Sequence, residues 1–282
     1  METKLSSATK EVVIGDGLPT VLIGERINPT GKKKMTAALE AGDLEVVRGE
    51  AVAQVEAGAD ILDVNVATVI VDEVTMLPKV VQTVMDTVDV PLCLDSSDPE
   101  ALEAALKVYK GKPLVNSVTG QEDSLSKVLP LIKEHKAAVI GMTVDDDGIP
   151  NDVDRRVSIA HKIVERAEKL GIPREDIVVD CVTMTVGADA RSALVTIETI
   201  RKIKSELGVN VTLGASNVSF GLPNRGLINT TFLAIAIAAG MNCPVINVAK
   251  VRPTVLATDL ILARDENALR YIKAQRQAKS KN

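Results

Sequence analysis

Eight short β-branched segments recur along this chain, each followed by a stretch of helical periodicity, and each ends in a polar or charged residue. The pattern predicts strands over 20–25, 61–65, 92–95, 114–117, 138–143, 177–180, 211–216 and 245–247. Helices are predicted over 34–57, 74–87, 99–109, 123–135, 152–170, 190–207, 227–239 and 253–274. Strict strand–helix alternation demands a parallel sheet, because each helix carries the chain back to the end where the strand began. Eight units in 282 residues suit a single (β/α)8 TIM barrel, an α/β fold that uses roughly 250 residues. The chain therefore reads as one domain over 1–282, with residues 1–18 as an N-terminal arm and 275–282 as a solvated tail. Asp98-Pro99-Glu100 has the form of a helix start, and Gly58, Gly171, Gly208 and Gly240 fall where helices should stop. A doubly wound sheet and two half-domains are the alternatives; no Gly-rich phosphate loop follows the first strand and no linker interrupts the middle.

Aromatic residues make up 1% of the chain, with no Trp, so a planar ligand must be gripped by hydrogen bonds to its edges more than by stacking. The net charge of −5 argues against a nucleic-acid partner, which needs a basic face. Cys93, Cys181 and Cys243 are odd in number and far apart, so they read as reduced, buried thiols of a cytoplasmic protein. No leader pattern and no apolar run of spanning length is seen, and a soluble chain with no membrane partner is expected.

The strand endings read GERIN, DVNV, LDSS, VNS, VVD and SNVS. They supply carboxylates and carboxamides with no His and no metal-ligand spacing, a set that suits a polar heterocycle better than a hydrolase triad or a zinc centre. No metal is expected. Period-two alternation puts Asp63 with Asn65, Cys93 with Asp95, Val178 with Asp180 and Ala215 with Asn217. If the last member of each strand faces the barrel mouth, Asp63, Asn65, Asp95, Asn116, Asp180 and Asn217 converge on one cavity. Carboxylates so gathered repel one another unless a ligand rich in N–H groups meets them. Asp and Asn also serve as caps and turn formers at strand–helix junctions, which is the bland account of any one of them. His135 and His161 lie in helical stretches, Glu25-Arg26 reads as an ion pair at the barrel floor or mouth, and Asp145-Asp146-Asp147-Gly148 reads as a turn.

These residues carry a resemblance. Gly24-Glu25-Arg26-Ile27-Asn28, Asp63-Val64-Asn65, Leu94-Asp95-Ser96, Val115-Asn116-Ser117, Asp180, and above all Ser216-Asn217-Val218-Ser219 with Asn224-Arg225-Gly226-Leu227-Ile228-Asn229 resemble the pterin-binding methyltransferases. Within that family the chain looks most like the 5-methyltetrahydrofolate:corrinoid methyltransferases, and it is similar to the folate domain of cobalamin-dependent methionine synthase.

The resemblance implies a TIM barrel that holds the pterin of methyltetrahydrofolate and passes its N5-methyl group to cob(I)alamin on a separate corrinoid protein. It assigns Asp180 and Asp95 to the paired N–H donors of the pterin, Asn116 to the mixed ring edge, and Asp63, Asn65 and Ser96 to the same pocket. Asn217 becomes the catalytic residue, donating its amide to N5; Phe220 flanks the ring, and Arg225 holds either the benzoyl-glutamate or the Asn217 loop. Gly31-Lys32-Lys33-Lys34 is a solvated face or an attractor for a polyglutamate tail or an acidic partner. Neither His has an Asp two residues before it, as the Asp-x-His-x-x-Gly of a base-off cobalamin module requires, so the corrinoid belongs to a partner that docks over the mouth. Relatives of this kind pair as homodimers. Ser219-Phe220-Gly221 is nearer the methionine synthase version, and Ile246-Asn247-Val248-Ala249-Lys250 lacks the acidic residues of acetogenic relatives, which leaves open acetyl-CoA synthesis or a demethylation pathway. Dihydropteroate synthase is the runner-up, disfavoured because Asp63-Val64-Asn65-Val66-Ala67 lacks its Gly-Gly-x-Ser-Thr-Arg-Pro-Gly stretch and the last strand lacks Arg-x-His. A catalytically idle folate-binding subunit is the alternative of another class.

Overall fold

The opening residues alternate between exposed and buried, and in the computed structural model, which describes residues 1–280, they form a hairpin. β1 (Glu2–Ser6) pairs antiparallel with β2 (Glu11–Gly15). Leu5 and Ile14 are fully buried and pack against residues from the barrel interior, so the segment expected as an arm plugs one end of the barrel instead. Burying two such side chains contributes about 1.5–3 kcal/mol each, which is why the hairpin stays on the barrel.

The barrel strands are β3 (Ile23–Ile27), β4 (Ile61–Asn65), β5 (Leu92–Asp95), β6 (Leu114–Thr119), β7 (Ala138–Met142), β8 (Ile177–Asp180), β9 (Asn210–Thr212) and β10 (Val245–Ile246). They lie parallel in the order β10-β3-β4-β5-β6-β7-β8-β9. A parallel bridge from Gly214 to Val245, with Val245 N–H donating to Leu213 O at 3.1 Å, closes the two ends into a TIM barrel. Around it run α1 (Lys33–Ala41), α2 (Glu45–Ala57), α3 (Glu73–Met85), α4 (Pro99–Val108), α5 (Glu122–His135), α6 (Val153–Lys169), α7 (Ser192–Glu206), α8 (Arg225–Ala239), α9 (Val248–Ile261) and α10 (Leu269–Ser280).

Two predicted helices divide. The 34–57 pattern breaks at Gly42, whose φ of 70° ends α1 in the left-handed cap that glycine favours. The 253–274 pattern starts early, at Val248, and separates into α9 and α10. The tail expected from residue 275 continues α10 as far as Ser280; residues 281–282 lie outside the described part.

Strand side chains divide between two cores by period two. Leu62, Val64, Leu92, Leu94, Val115, Val139 and Val179 face the helices. Ile23, Ile61, Cys93, Leu114, Ala138, Ile140 and Val178 face inward and meet the hairpin in a second, smaller core. All three cysteines are free and buried. Among the described residues no helix is long and apolar enough to cross a membrane.

Candidate functional site

Five inward columns change character on moving two residues toward the strand C-terminus, while that of β7 stays apolar from Ala138 to Ile140. Ile23 is followed by Glu25, Ile61 by Asp63 and Asn65, Cys93 by Asp95, Leu114 by Asn116, and Val178 by Asp180. The parallel register sets Asn65 beside Asp95 and Asp95 beside Asn116, while Asp180 stands between Met142 and Thr212. A polar layer therefore lies directly on an apolar floor, the arrangement by which TIM barrels build sites at the C-terminal face.

Asp63 is 2% exposed and accepts a 3.3 Å hydrogen bond from Asn116 Nδ2. Burial, and then the neighbouring Asp95 carboxylate, push Asp63 well above the ordinary carboxylate range. Asp95 is raised to about 6, mainly by burial, against hydrogen bonds from Asn65 and Asp63. Two charges so close in a buried site oppose each other, so the pair holds a proton more readily than either acid would alone. Asp180 is also raised to about 6 by burial, opposed by the Val182 N–H that donates to its Oδ1 at 2.7 Å and by the charge of Arg156.

Asn217 arrives differently. β9 ends at Thr212, and a 3-10 turn over Ala215–Ser219 carries Asn217 to the rim, so the period-two pairing of Ala215 with Asn217 does not apply. Glu25 crosses to this turn, accepting from Ser216 Oγ at 3.1 Å. Arg225 braces it from α8: Nη2 donates to Ser216 O at 2.8 Å and Nε to Ser219 Oγ at 3.0 Å. Its guanidinium lies 5.7 Å from the centroid of the Phe220 ring, and Phe220 is 68% exposed on the rim. Of the two roles offered for Arg225, the hydrogen bonds match the one that holds the Asn217 loop.

Three expectations change. Ser96 is brought to the layer's edge but turns away, its Oγ donating to Glu73 at 2.6 Å and accepting from Asp98 N–H at 3.1 Å. Glu25 and Arg26 do not pair: β3 shifts register between Gly24 and Ile27, Arg26 meets Glu50 of α2 at 3.3 Å, and Glu25 turns to Ser216. The lysine run is not uniform: Lys32 Nζ folds onto the carbonyls of Glu25 and Asn28, 3.1 Å from each, and burial lowers its pKa, while Lys33 and Lys34 are exposed. The Asp145–Gly148 turn is present, with Asp145 paired to Arg155 at 2.8 Å. His161 lies on a helix surface, 3.0 Å from Glu206.

Sequence reasoning missed Arg156, which is fully buried behind Asp180. The signal was available: Val153, Arg156, Val157, Ala160, Ile163, Val164 and Ala167 follow helical spacing, which puts an arginine on the inner face of α6. Among the described residues no group of three His, Cys, Asp or Glu side chains is arranged to hold a metal ion.

Comparison with known proteins adds four findings. A family model described as "Pterin binding enzyme" matches residues 24–247. The methylcorrinoid:tetrahydrofolate methyltransferase of Eubacterium limosum is 35% identical over 269 residues, covering 92% of this chain and 97% of that protein. The methionine synthase of Mycobacterium tuberculosis is 30% identical over 265 residues, covering 89% of this chain but only 22% of the synthase. Among solved structures, dihydropteroate synthases from Yersinia pestis and Xanthomonas albilineans superpose with a TM-score of 0.71 each at 15% and 20% identity, covering 93% of this chain and 99% of theirs, a likeness of fold.

Proposed function

This chain belongs to the pterin binding enzyme family, and from that premise we propose that it transfers a methyl group between N5 of 5-methyltetrahydrofolate and cob(I)alamin held on a separate corrinoid protein. The observation that carries the proposal is the half-buried row Asn65–Asp95–Asn116 with Asp180 in the same inward layer. A reduced pterin presents a ring N–H beside an exocyclic amino group, and an ionised carboxylate accepts both. With a pKa of about 6, Asp180 is mostly ionised at neutral pH and suits that pair. Asn116, which both donates and accepts, suits the carbonyl and ring-nitrogen edge. A proton held by the pair of Asp63 and Asp95 lowers the negative charge that the neutral ring would otherwise face.

Loss of methyl from N5 leaves electron density on a poor leaving group. Asn217 is assigned to donate its amide N–H there, a contact that strengthens as the bond breaks and so raises rate more than affinity. The corrinoid supplies the cobalt centre that takes or gives the methyl group. Val69, Ile70, Phe220 and Leu227 are exposed apolar side chains on the C-terminal side of the barrel and support docking of a partner there. Such docking is transient, because a corrinoid protein must also meet its other methyltransferase.

The test mixes the protein with methyltetrahydrofolate and free cob(I)alamin and follows the absorbance of methylated cobalamin. Protein-dependent conversion is expected. Folate binding without conversion would favour the idle folate-binding subunit, and absence of folate binding would overturn the proposal.

A further inference from the structure

Arg156 is 0% exposed, and the acceptors around it are neutral. Nε donates to Pro150 O at 2.7 Å, and Nη1 donates to Cys181 O and Val182 O at 2.7 Å each, with Thr196 Oγ1 at 3.4 Å. Nη2 has no hydrogen-bond partner among the described residues. Burying a guanidinium without a contacting carboxylate is costly, and three carbonyl dipoles offset only part of it.

Two of those carbonyls, Cys181 O and Val182 O, belong to the turn that follows Asp180. Val182 has φ of 53°, the left-handed region that a β-branched residue avoids unless its surroundings impose it. The imposition is visible: Val182 O is held by Arg156 and by Thr196 Oγ1 at 2.9 Å, while Val182 N–H is aimed at Asp180 Oδ1. Among the described residues, the groups facing Asp180 on other sides carry no charge that could replace this one. Met142 and Thr212 flank it in the sheet, Thr143 donates to its backbone carbonyl, and burial pushes the Cys181 and Cys243 thiols up, leaving them neutral.

We propose that Arg156 is a positioning residue for Asp180: it fixes the turn that orients the carboxylate and supplies the compensating positive charge behind it. The inference rests on the assignment of Asp180 to the pterin edge. Without Arg156 the turn relaxes and the carboxylate takes up a proton more readily, so its acceptor geometry and its charge are lost together.

The test measures tetrahydrofolate affinity by calorimetry between about pH 5 and 8 for wild type, Arg156→Met, Arg156→Lys and Asp180→Asn, with folding checked by circular dichroism. Wild-type affinity is expected to fall on the acid side as Asp180 protonates. Arg156→Met should move that midpoint up by about one pH unit and weaken binding about tenfold at neutral pH, with KM rising more than kcat falls. Arg156→Lys keeps the charge but not the forked contacts, so it should restore the midpoint while leaving affinity reduced. If Asp180→Asn weakens binding while folded Arg156→Met keeps both midpoint and affinity, the proposal is overturned. Where Arg156→Met does not fold, Arg156→Lys decides, and unchanged affinity overturns it. If Asp180→Asn binds as wild type, the pterin assignment fails instead; carboxyl NMR of Asp180 in ligand-free protein then tests Arg156 alone, and a titration unmoved by Arg156→Met overturns its role.

Discussion

Asp180 sits at the end of a strand with its carboxylate anchored by a backbone N–H, whereas Asn217 stands exposed in a turn after a strand has ended. A change at each should therefore be felt in a different quantity. Asn217→Ala removes a donor that acts as charge develops on N5, and the transfer rate in single-turnover experiments should fall roughly 10²- to 10³-fold with unchanged melting temperature. A rate equal to wild type would take Asn217 out of the chemistry. Asp180→Asn keeps the shape but turns one acceptor into a donor, so pterin affinity should drop about tenfold or more while the rate at saturation changes less. Calorimetry decides, and equal affinity would pass the anchor role to Asp95. The inward columns of Asp63, Asn65, Asp95 and Asp180 were legible because β4, β5 and β8 pair in those ladders without a register shift, so period two holds along them. Asn217 was legible only through its motif, since nothing in the β-branched run announces that β9 stops at Thr212. Glu25 was misread because its neighbour Arg26 offered an obvious partner that in the fold meets Glu50 instead.

The turn over Ala215–Ser219 is the element on which catalysis is proposed to depend, and a glycine before it leaves room for the Asn217 side chain. A Cβ built at Gly214 would lie 3.0 Å from Asn217 Nδ2, although the Gly214 φ of −69° is open to any residue. Gly214→Ala should therefore displace the Asn217 amide without straining the backbone. The expected outcome is a loss of roughly tenfold or more in kcat, since small misplacements of a reacting group are expensive, with little change in the urea midpoint. An unaltered kcat would mean that the amide has room to adjust. Element identity was readable from periodicity throughout the barrel, but two features needed three dimensions. The β1–β2 hairpin gains its stability from the barrel interior it covers, a contact that no local pattern encodes. The extra helices came from a glycine cap and from a helix that begins before its proline, Pro253 lying inside α9. Leu5→Ala should cost about 2–5 kcal/mol in urea unfolding if the hairpin is part of the cooperative unit, and less than 1 kcal/mol if it frays independently.

At the scale of the whole molecule, the polar layer is held at the expense of stability. Asp95 and Asp180 are raised to about 6 and Asp63 well above its ordinary value, all chiefly by burial. In the unfolded chain the same groups titrate near 3.8. Between that value and about 6 native Asp95 and Asp180 hold protons that the unfolded chain has released, so stability falls as pH rises through the window, and the penalty from these two is fully present above it. Surface carboxylates such as Glu122, lowered by Lys162 and Arg166, work in the opposite sense, but they are exposed and screened and act only at more acid pH. The ligand-free protein should accordingly melt at a higher temperature near pH 5 than near pH 7.5. Asp180→Asn, which mimics the protonated acid, should be more stable than wild type at neutral pH, with the difference closing toward pH 5. Saturating tetrahydrofolate should narrow the difference at neutral pH, because a ligand at about 100 times its Kd adds about 2.7 kcal/mol to the protein that binds it, and the weaker-binding variant gains less. Calorimetric melts of both proteins with and without ligand test this: a wild-type melting temperature independent of pH between 5 and 7.5 would mean that the buried carboxylates are relieved by water, and that the layer is already solvated before any pterin reaches it.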